Sequence, residues 1–304
     1  MIKLPVIIGP TASGKTNCAV HLAKAMNGAI ISADSRQVYK KMDIGTGKDL
    51  DEYTINNQQI PYHLIDICEP GEKYNINRFY HDFVQAINTI SDLHQTPILC
   101  GGSGLYIQTA LEQNELSAIP TNNEFREELY KLNNSKLKEL FGKINPTLKE
   151  KLDSSSKKRL IRALEINNYL QSNAYPKMPK VEINPILFGI DIPRDERRKK
   201  ISLRLKERLK NGMIEEVEKL QEIVTNEDLK YYGLEYLFVT EYLEGKYNFN
   251  ELYNKLEIAI HQFSKRQMTW FRKMEREGYA IHWIAHNLSS KKKIEKILPH
   301  LKMR

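Results

Sequence analysis

The sequence predicts an α/β chain, with a parallel sheet core, a helical insert and a helical C-terminal region. Three observations carry this. Short apolar runs alternate with helical patterns over the first 110 residues, the mark of βαβ units. From Glu124 to Leu170 the pattern is helical and highly charged, without a convincing strand. From Arg194 onward helices dominate. The expected boundaries are 1–115 for the core, 116–180 for the insert, and 181–304 for a return to the core and a basic helical region. A length of 304 residues, 41% of them hydrophobic and 28% charged, suits a buried core with an insertion and excludes wholesale disorder.

Each element has its own signal. Leu4–Ile8 is a short apolar run closed by Gly9-Pro10, as expected of a buried strand. Ala19, Leu22, Ala23 and Met26 then recur at i, i+3, i+4 and i+7, one face of a helix. Ala29–Ser32 and Tyr62–Ile67 are the next expected strands. Phe79, Phe83, Ile87 and Ile90 stripe a second helix, and Pro97–Cys100 is a strand ending in Gly101-Gly102. Ile183–Asp191 returns one strand to the sheet, and Glu251–Glu277 is a long amphipathic helix.

Composition narrows the function. The 3 cysteines, Cys18, Cys68 and Cys100, lack CxxC spacing, so neither a disulfide framework nor a cysteine zinc site is expected. The apolar runs fall far short of the ~20 residues of a membrane span. The N-terminus leads straight into a strand, so no signal peptide and a cytoplasmic location are expected. The formal charge of +8 is uneven: residues 1–110 hold 9 Lys and Arg against 10 Asp and Glu, the remainder 37 against 28. A neutral front and a basic back fit a catalytic core joined to a polyanion-binding surface, although a solvated lysine-rich surface gives the same count.

The sharpest motif is Gly9-Pro10-Thr11-Ala12-Ser13-Gly14-Lys15-Thr16. This GxxxxGK[ST] run sits between a strand and a helix, as a phosphate loop must. Its glycines let backbone amides curl around phosphate oxygens, and the helix dipole adds to the attraction. Lys15 supplies a point charge, and the Thr16 hydroxyl is placed to ligate magnesium. The core is therefore P-loop NTPase-like. Asp34 and Asp66 are the carboxylates beyond neighbouring strands. Under a nucleotide-hydrolase reading Asp66 partners the magnesium, and Asp34 is a cap or a base. On these residues alone, a small-molecule kinase using ATP is a serious alternative.

Further stretches bring in a resemblance. Ile31-Ser32-Ala33-Asp34-Ser35-Arg36-Gln37-Val38-Tyr39, Met42–Lys48, His63–Asp66, Gly101–Tyr106, Arg159–Glu165, Gly212 with Glu215–Val217, and Lys265–Arg272 together resemble the tRNA dimethylallyltransferase family, in the family's order. That resemblance implies transfer of a dimethylallyl group from dimethylallyl diphosphate to N6 of adenosine 37, 3′ of the tRNA anticodon. It implies that Gly9–Thr16 grip the diphosphate rather than ATP, with magnesium held at Thr16. It also implies that Asp34, Arg204 and Ser103 are catalytic: Asp34 as the base, Arg204 on the diphosphate, and Ser103, in place of the family's threonine, with its hydroxyl on a phosphate oxygen or the nucleoside. The tRNA would meet Asp34, Ser35, Arg36, Gln37, Ser103, Arg126, and the stretch Lys158, Arg159, Leu160, Ile161 and Arg162.

Chemistry agrees with these roles. Diphosphate is the leaving group, so charge develops where the loop amides, Lys15 and Thr16 point. The weakly nucleophilic adenine amine must lose a proton to a carboxylate within reach, and an amide such as Gln37 suits the adenine edge. The base must also leave its stack. Arg197, Lys200, Arg204 and Arg208 form one helical stripe beside apolar Ile201, Leu205 and Leu209; Arg197 and Arg208 are equally well read as solvated. Lys265, Arg266, Arg272, Lys273 and Arg276 are a further basic cluster, with Trp270 and Phe271 expected in the core. The chain departs from the family pattern at Tyr62, Lys158, Tyr232–Glu235 and Ile260-His261. Expected partners are the tRNA anticodon stem-loop and dimethylallyl diphosphate, with no membrane and a monomeric protein. A non-catalytic RNA-binding protein is the third reading.

Overall fold

The computed structural model describes residues 1–302. The chain divides into two compact units, Met1–Glu112 together with the chain from Lys180 onward, and Gln113–Pro179. In the first unit β1 (Ile2–Ile8) leads through a loop into α1 (Lys15–Met26) and β2 (Gly28–Ala33). A hairpin of β3 (Thr54–Ile55) and β4 (Gln58–Gln59) precedes β5 (Tyr62–His63), α2 (Ile76–Asp92), β6 (Thr96–Gly101) and α3 (Gly104–Glu112). The second unit holds α4 (Asn123–Lys131), α5 (Asn134–Gly142), α6 (Pro146–Lys149) and α7 (Lys157–Ser172). The first unit resumes with β7 (Ile183–Asp191), α8 (Arg194–Lys210), α9 (Met213–Gln221), α10 (Asn226–Tyr231), α11 (Leu234–Leu243), α12 (Phe249–Arg276), β8 (Ile281–Ala285) and α13 (Ser290–Lys302).

The six-stranded sheet runs β5-β2-β6-β1-β7-β8, and every pairing is parallel. Its central strands are buried almost throughout, so they read as continuous apolar runs rather than alternations. Helix α1 turns Cys18, Ala19, Leu22 and Ala23 into a core shared with Ile7, Ile30, Ile98, Phe188 and the Ile294, Ile297 and Leu301 face of α13. Fully burying such an aliphatic side chain contributes about 1.5–3 kcal/mol.

The second unit has a core of its own, built from Leu129, Leu137, Ile144, Leu160, Ile161 and Leu164. Each of its helices is capped by its own sequence. The side chains of Asn122, Asn133, Asn145 and Ser156 accept from the first-turn amides of α4, α5, α6 and α7, satisfying donors that the helix leaves orphaned.

Three sequence expectations need correction. The strand expected over Tyr62–Ile67 stops at His63, because Leu64 and Asp66 adopt left-handed backbone, φ 63° and 56°. The stretch from Arg194 onward, read as helical, also holds strand β8, which is paired with β7 from Leu187↔Ile281 to Asp191↔Ala285. Arg197 and Arg208 are not solvated: they are 8% and 9% exposed, since α8 is covered by α9 and α12.

The register positions the site. Ile8 and Ala33 both pair with Gly101, so β1, β2 and β6 end at one level. The loops beginning at Gly9, Asp34 and Gly102 therefore open side by side at the carboxyl end of the sheet, where open α/β sheets bind ligands.

Candidate functional site

The loop from Gly9 to Thr16 folds as its glycines require. Gly14 has φ 81° and precedes the first residue of α1, a conformation open to glycine without strain. The Ser13 amide donates to Pro10 O at 3.2 Å. The Ser13 hydroxyl is buried and has no hydrogen-bond partner among the described residues, an orphan that a ligand oxygen would satisfy. One expected phosphate donor is already engaged. The Thr11 amide donates to Gln267 Oε1 at 2.9 Å, while Gln267 Nε2 donates to Gly102 O at 3.0 Å. Gln267, from α12 and 6% exposed, thus staples the phosphate loop to the glycine turn after β6.

Lys15 lies at the meeting point. Burial lowers its ammonium pKa; Cys100 and Asp34 oppose the shift, whereas Arg204 adds to it. The phosphate-loop lysine, the expected base and the expected diphosphate arginine therefore share one electrostatic neighbourhood. Burial, then Arg208, push the Arg204 guanidinium down to about 10. Glu52, whose carboxyl is raised by burial, also faces Lys15 and Arg204.

The loop after β2 is held by local bonds. Asp34 Oδ1 accepts from the Arg36 amide at 2.9 Å, an Asx turn that fixes the carboxylate. Ser35 is half-buried beside it. The Arg36 guanidinium lies 5.5 Å from the centre of the Tyr231 ring. Gln37 accepts from Ser32 Oγ at 3.0 Å and donates to Gly47 O at 3.0 Å. Its amide therefore first orders the loop, leaving one donor hydrogen and one acceptor lone pair for a base. Ser103 is half-buried at the start of α3.

Two residues without a sequence-assigned role lock the next turn. Glu216 accepts from the amides of Asp43, Ile44 and Gly45 at 2.8, 2.7 and 2.9 Å, and from Tyr236 Oη at 2.8 Å. Lys48, 1% exposed, donates to Tyr39 O at 2.7 Å, to Asp43 at 2.6 Å, and to Asp66. Asp66 is thereby engaged as a buried lysine's partner instead of standing free for a metal. The signal for these residues was present in the Met42–Lys48 and Glu215–Val217 stretches, but the clasp joins positions about 170 apart in the chain, as the Gly45–Glu216 bond shows.

The expected tRNA residues of the second unit divide by burial. Leu160 and Ile161 are 2% and 1% exposed, so their side chains belong to the core and only their backbone can meet a partner. Glu165, 2% exposed, holds Arg126 at 2.9 Å and also Arg162, and Arg162 donates to Ile119 O at 2.7 Å. Arg159 pairs with Asp153 at 2.5 Å. Lys158 is exposed. In the first unit Lys265, Arg266, Arg272, Lys273 and Arg276 are exposed along α12, Phe271 is buried, and Trp270 is half-buried. No group of three or more metal-type side chains occurs among the described residues, and no helix among them is long and apolar enough to cross a membrane.

The chain is similar to known proteins along most of its length. Residues 37–274 match the family model described as IPP transferase. A tRNA dimethylallyltransferase 2 of Phocaeicola vulgatus is 49% identical over 298 residues, covering 97% of this chain and 96% of that protein. The crystal structure of the tRNA isopentenylpyrophosphate transferase of Bacillus halodurans is 31% identical with a TM-score of 0.71, covering 99% and 96%. A eukaryotic dimethylallyltransferase acting on tRNA shares the fold, with 19% identity, a TM-score of 0.77, and coverage of 100% of this chain and 81% of that one. These relatives do not favour the kinase that the phosphate loop alone left open. With the match spanning most of its length, the chain belongs to the IPP transferase family.

Proposed function

We propose that the protein transfers the dimethylallyl group of dimethylallyl diphosphate to tRNA, at N6 of the adenosine 3′ of the anticodon. The observation that supports this reading is that β1 and β2 end at one level, so that the loop leading to Lys15 opens beside the turn of Asp34, with Arg204 in the same electrostatic neighbourhood. The loop amides, Lys15, Arg204 and the orphaned Ser13 hydroxyl would hold the diphosphate. The N6 lone pair forms the new bond to the dimethylallyl carbon, the carbon–oxygen bond breaks, and its electron pair leaves on diphosphate. The N6 proton passes to Asp34. Enclosed cations stabilise the leaving charge more than solvated ones do.

Magnesium fits the same arrangement. The oxygen donors are the Thr16 hydroxyl and the diphosphate itself, and a magnesium ion characteristically shares such sites with substrate phosphates and water. When bound it would neutralise leaving-group charge. The basic face of α12 and Lys158 are the exposed cations suited to phosphate contacts, which position the RNA without reading its sequence. Substrate tRNA sets the proposed workplace as the cytoplasm.

The test is incubation with unmodified tRNA, magnesium and labelled dimethylallyl diphosphate, followed by nucleoside analysis. Label on N6 of one anticodon-loop adenosine is expected. Phosphoryl transfer from ATP to a small acceptor, with no prenylated nucleoside, would overturn the reading.

A further inference from the structure

We propose that Arg208 is a second guanidinium for the diphosphate, forming with Arg204 a paired clamp opposite the phosphate loop. This rests on the diphosphate reading above and assigns a binding role to a residue that the family resemblance did not mark.

Arg204 and Arg208 stand one turn apart on α8, so their side chains leave the same face of the helix. Arg208 is 9% exposed, and its Nη2 has no hydrogen-bond partner among the described residues. Asp49 Oδ2 lies 3.5 Å from that nitrogen but accepts no hydrogen bond from it. The fold makes room for the group. A Cβ on Gly47 would lie 1.7 Å from Nη2, and Gly47 has φ 63°, so a glycine there lets the guanidinium lie directly on the backbone.

The surroundings point the same way. Like charges one turn apart repel even on an open helix, and more so when enclosed. Here Arg204 disfavours the charge on Lys15, and Arg208 disfavours the charge on Arg204. Asp49 and Glu235 offset part of this repulsion, but Asp49 is half exposed and neither hydrogen-bonds Arg208 Nη2. A doubly charged anion bridging two guanidiniums would satisfy the orphaned donor and relieve the repulsion, and arginine forks suit phosphate geometry.

The test is calorimetric binding of inorganic diphosphate to the full-length protein and its R208M and R208K variants, alongside KM for each substrate. R208M is expected to weaken diphosphate binding and raise KM for dimethylallyl diphosphate by roughly 10- to 100-fold, the range for a lost charge-assisted hydrogen bond. KM for tRNA should stay within about twofold, and R208K should recover part of the loss by restoring the charge. Unchanged diphosphate affinity in the folded variants, with lowered thermal stability or tRNA affinity, would overturn the proposal and leave Arg208 a buttress of the Gly47 turn. Should R208M fail to fold, R208K decides alone: affinity equal to wild type overturns the clamp. If the wild-type protein itself neither binds diphosphate nor prenylates tRNA, the functional reading fails first, and the two failures are distinct.

Discussion

The clasp on the turn from Asp43 to Gly45 makes Glu216→Gln the most informative structural substitution. The carboxylate accepts three backbone amides and the Tyr236 hydroxyl, at 2.7–2.9 Å. A glutamine keeps the shape, but its single acceptor oxygen serves two donors at most, and its NH2 group faces the others. At least two donors lose their partner. A hydrogen bond to a charged group contributes about 1.5–3 kcal/mol; Asp43 is exposed and Ile44 half-buried, so water recovers part of it. The expected net loss is about 2–4 kcal/mol, or roughly 5–10 °C in Tm. Because the carbonyl of Gly47, in the same turn, receives Gln37, kcat/KM should fall as well. Thermal unfolding of E216Q, with Y236F and the double variant to complete a cycle, measures the clasp. A Tm within about 1 °C of wild type would refute this account of the turn.

Three other outcomes follow from the same geometry. Arg204, held down to about 10 by burial and by Arg208, binds an anion only while charged, so inorganic diphosphate affinity should fall as pH rises through about 10; calorimetry across that range checks it, and R204M should make the fall shallower, leaving the share that belongs to Lys15. Leu160→Ala removes a side chain from the core of the second unit and should destabilise it by about 2–5 kcal/mol, read by denaturant unfolding. Gly47→Ala places a Cβ 1.7 Å from Arg208 Nη2 at a positive φ, and should lower Tm and raise KM for dimethylallyl diphosphate, read by unfolding and steady-state kinetics.

Much of the sheet was legible because its strands are buried on both faces and therefore stand out as apolar runs. Leu4–Ile8, Ala29–Ser32 and Pro97–Cys100 lie inside β1, β2 and β6, and Ile183–Asp191 is β7. The failures have local causes. Tyr62–Ile67 is apolar enough for a strand, yet left-handed backbone at Leu64 and Asp66 bends it so that Asp66 meets Lys48. Periodicity also left open which side of α8 its arginines take; the packing of α9 and α12 against that helix turns Arg197 and Arg208 inward. At the site, the phosphate loop announced itself, as did the Asp34 turn. The Gln267 staple and the Glu216 clasp did not, because each joins residues more than 150 positions apart, and no local pattern encodes such a pairing. Leu160 and Ile161 show the converse: they share a stretch with exposed Lys158 and Arg159, but helix geometry sends them to the core.

In the proposed reaction Asp34, in the electrostatic neighbourhood of Lys15 and Arg204, takes the N6 proton during transfer. Single-turnover prenyl transfer by Asp34→Asn, measured with tRNA affinity on the same preparation, tests it most directly. Transfer is expected to fall by about 10²- to 10⁴-fold, the usual worth of a positioned base, with tRNA binding within about twofold of wild type. Transfer by the variant at the wild-type rate would contradict it.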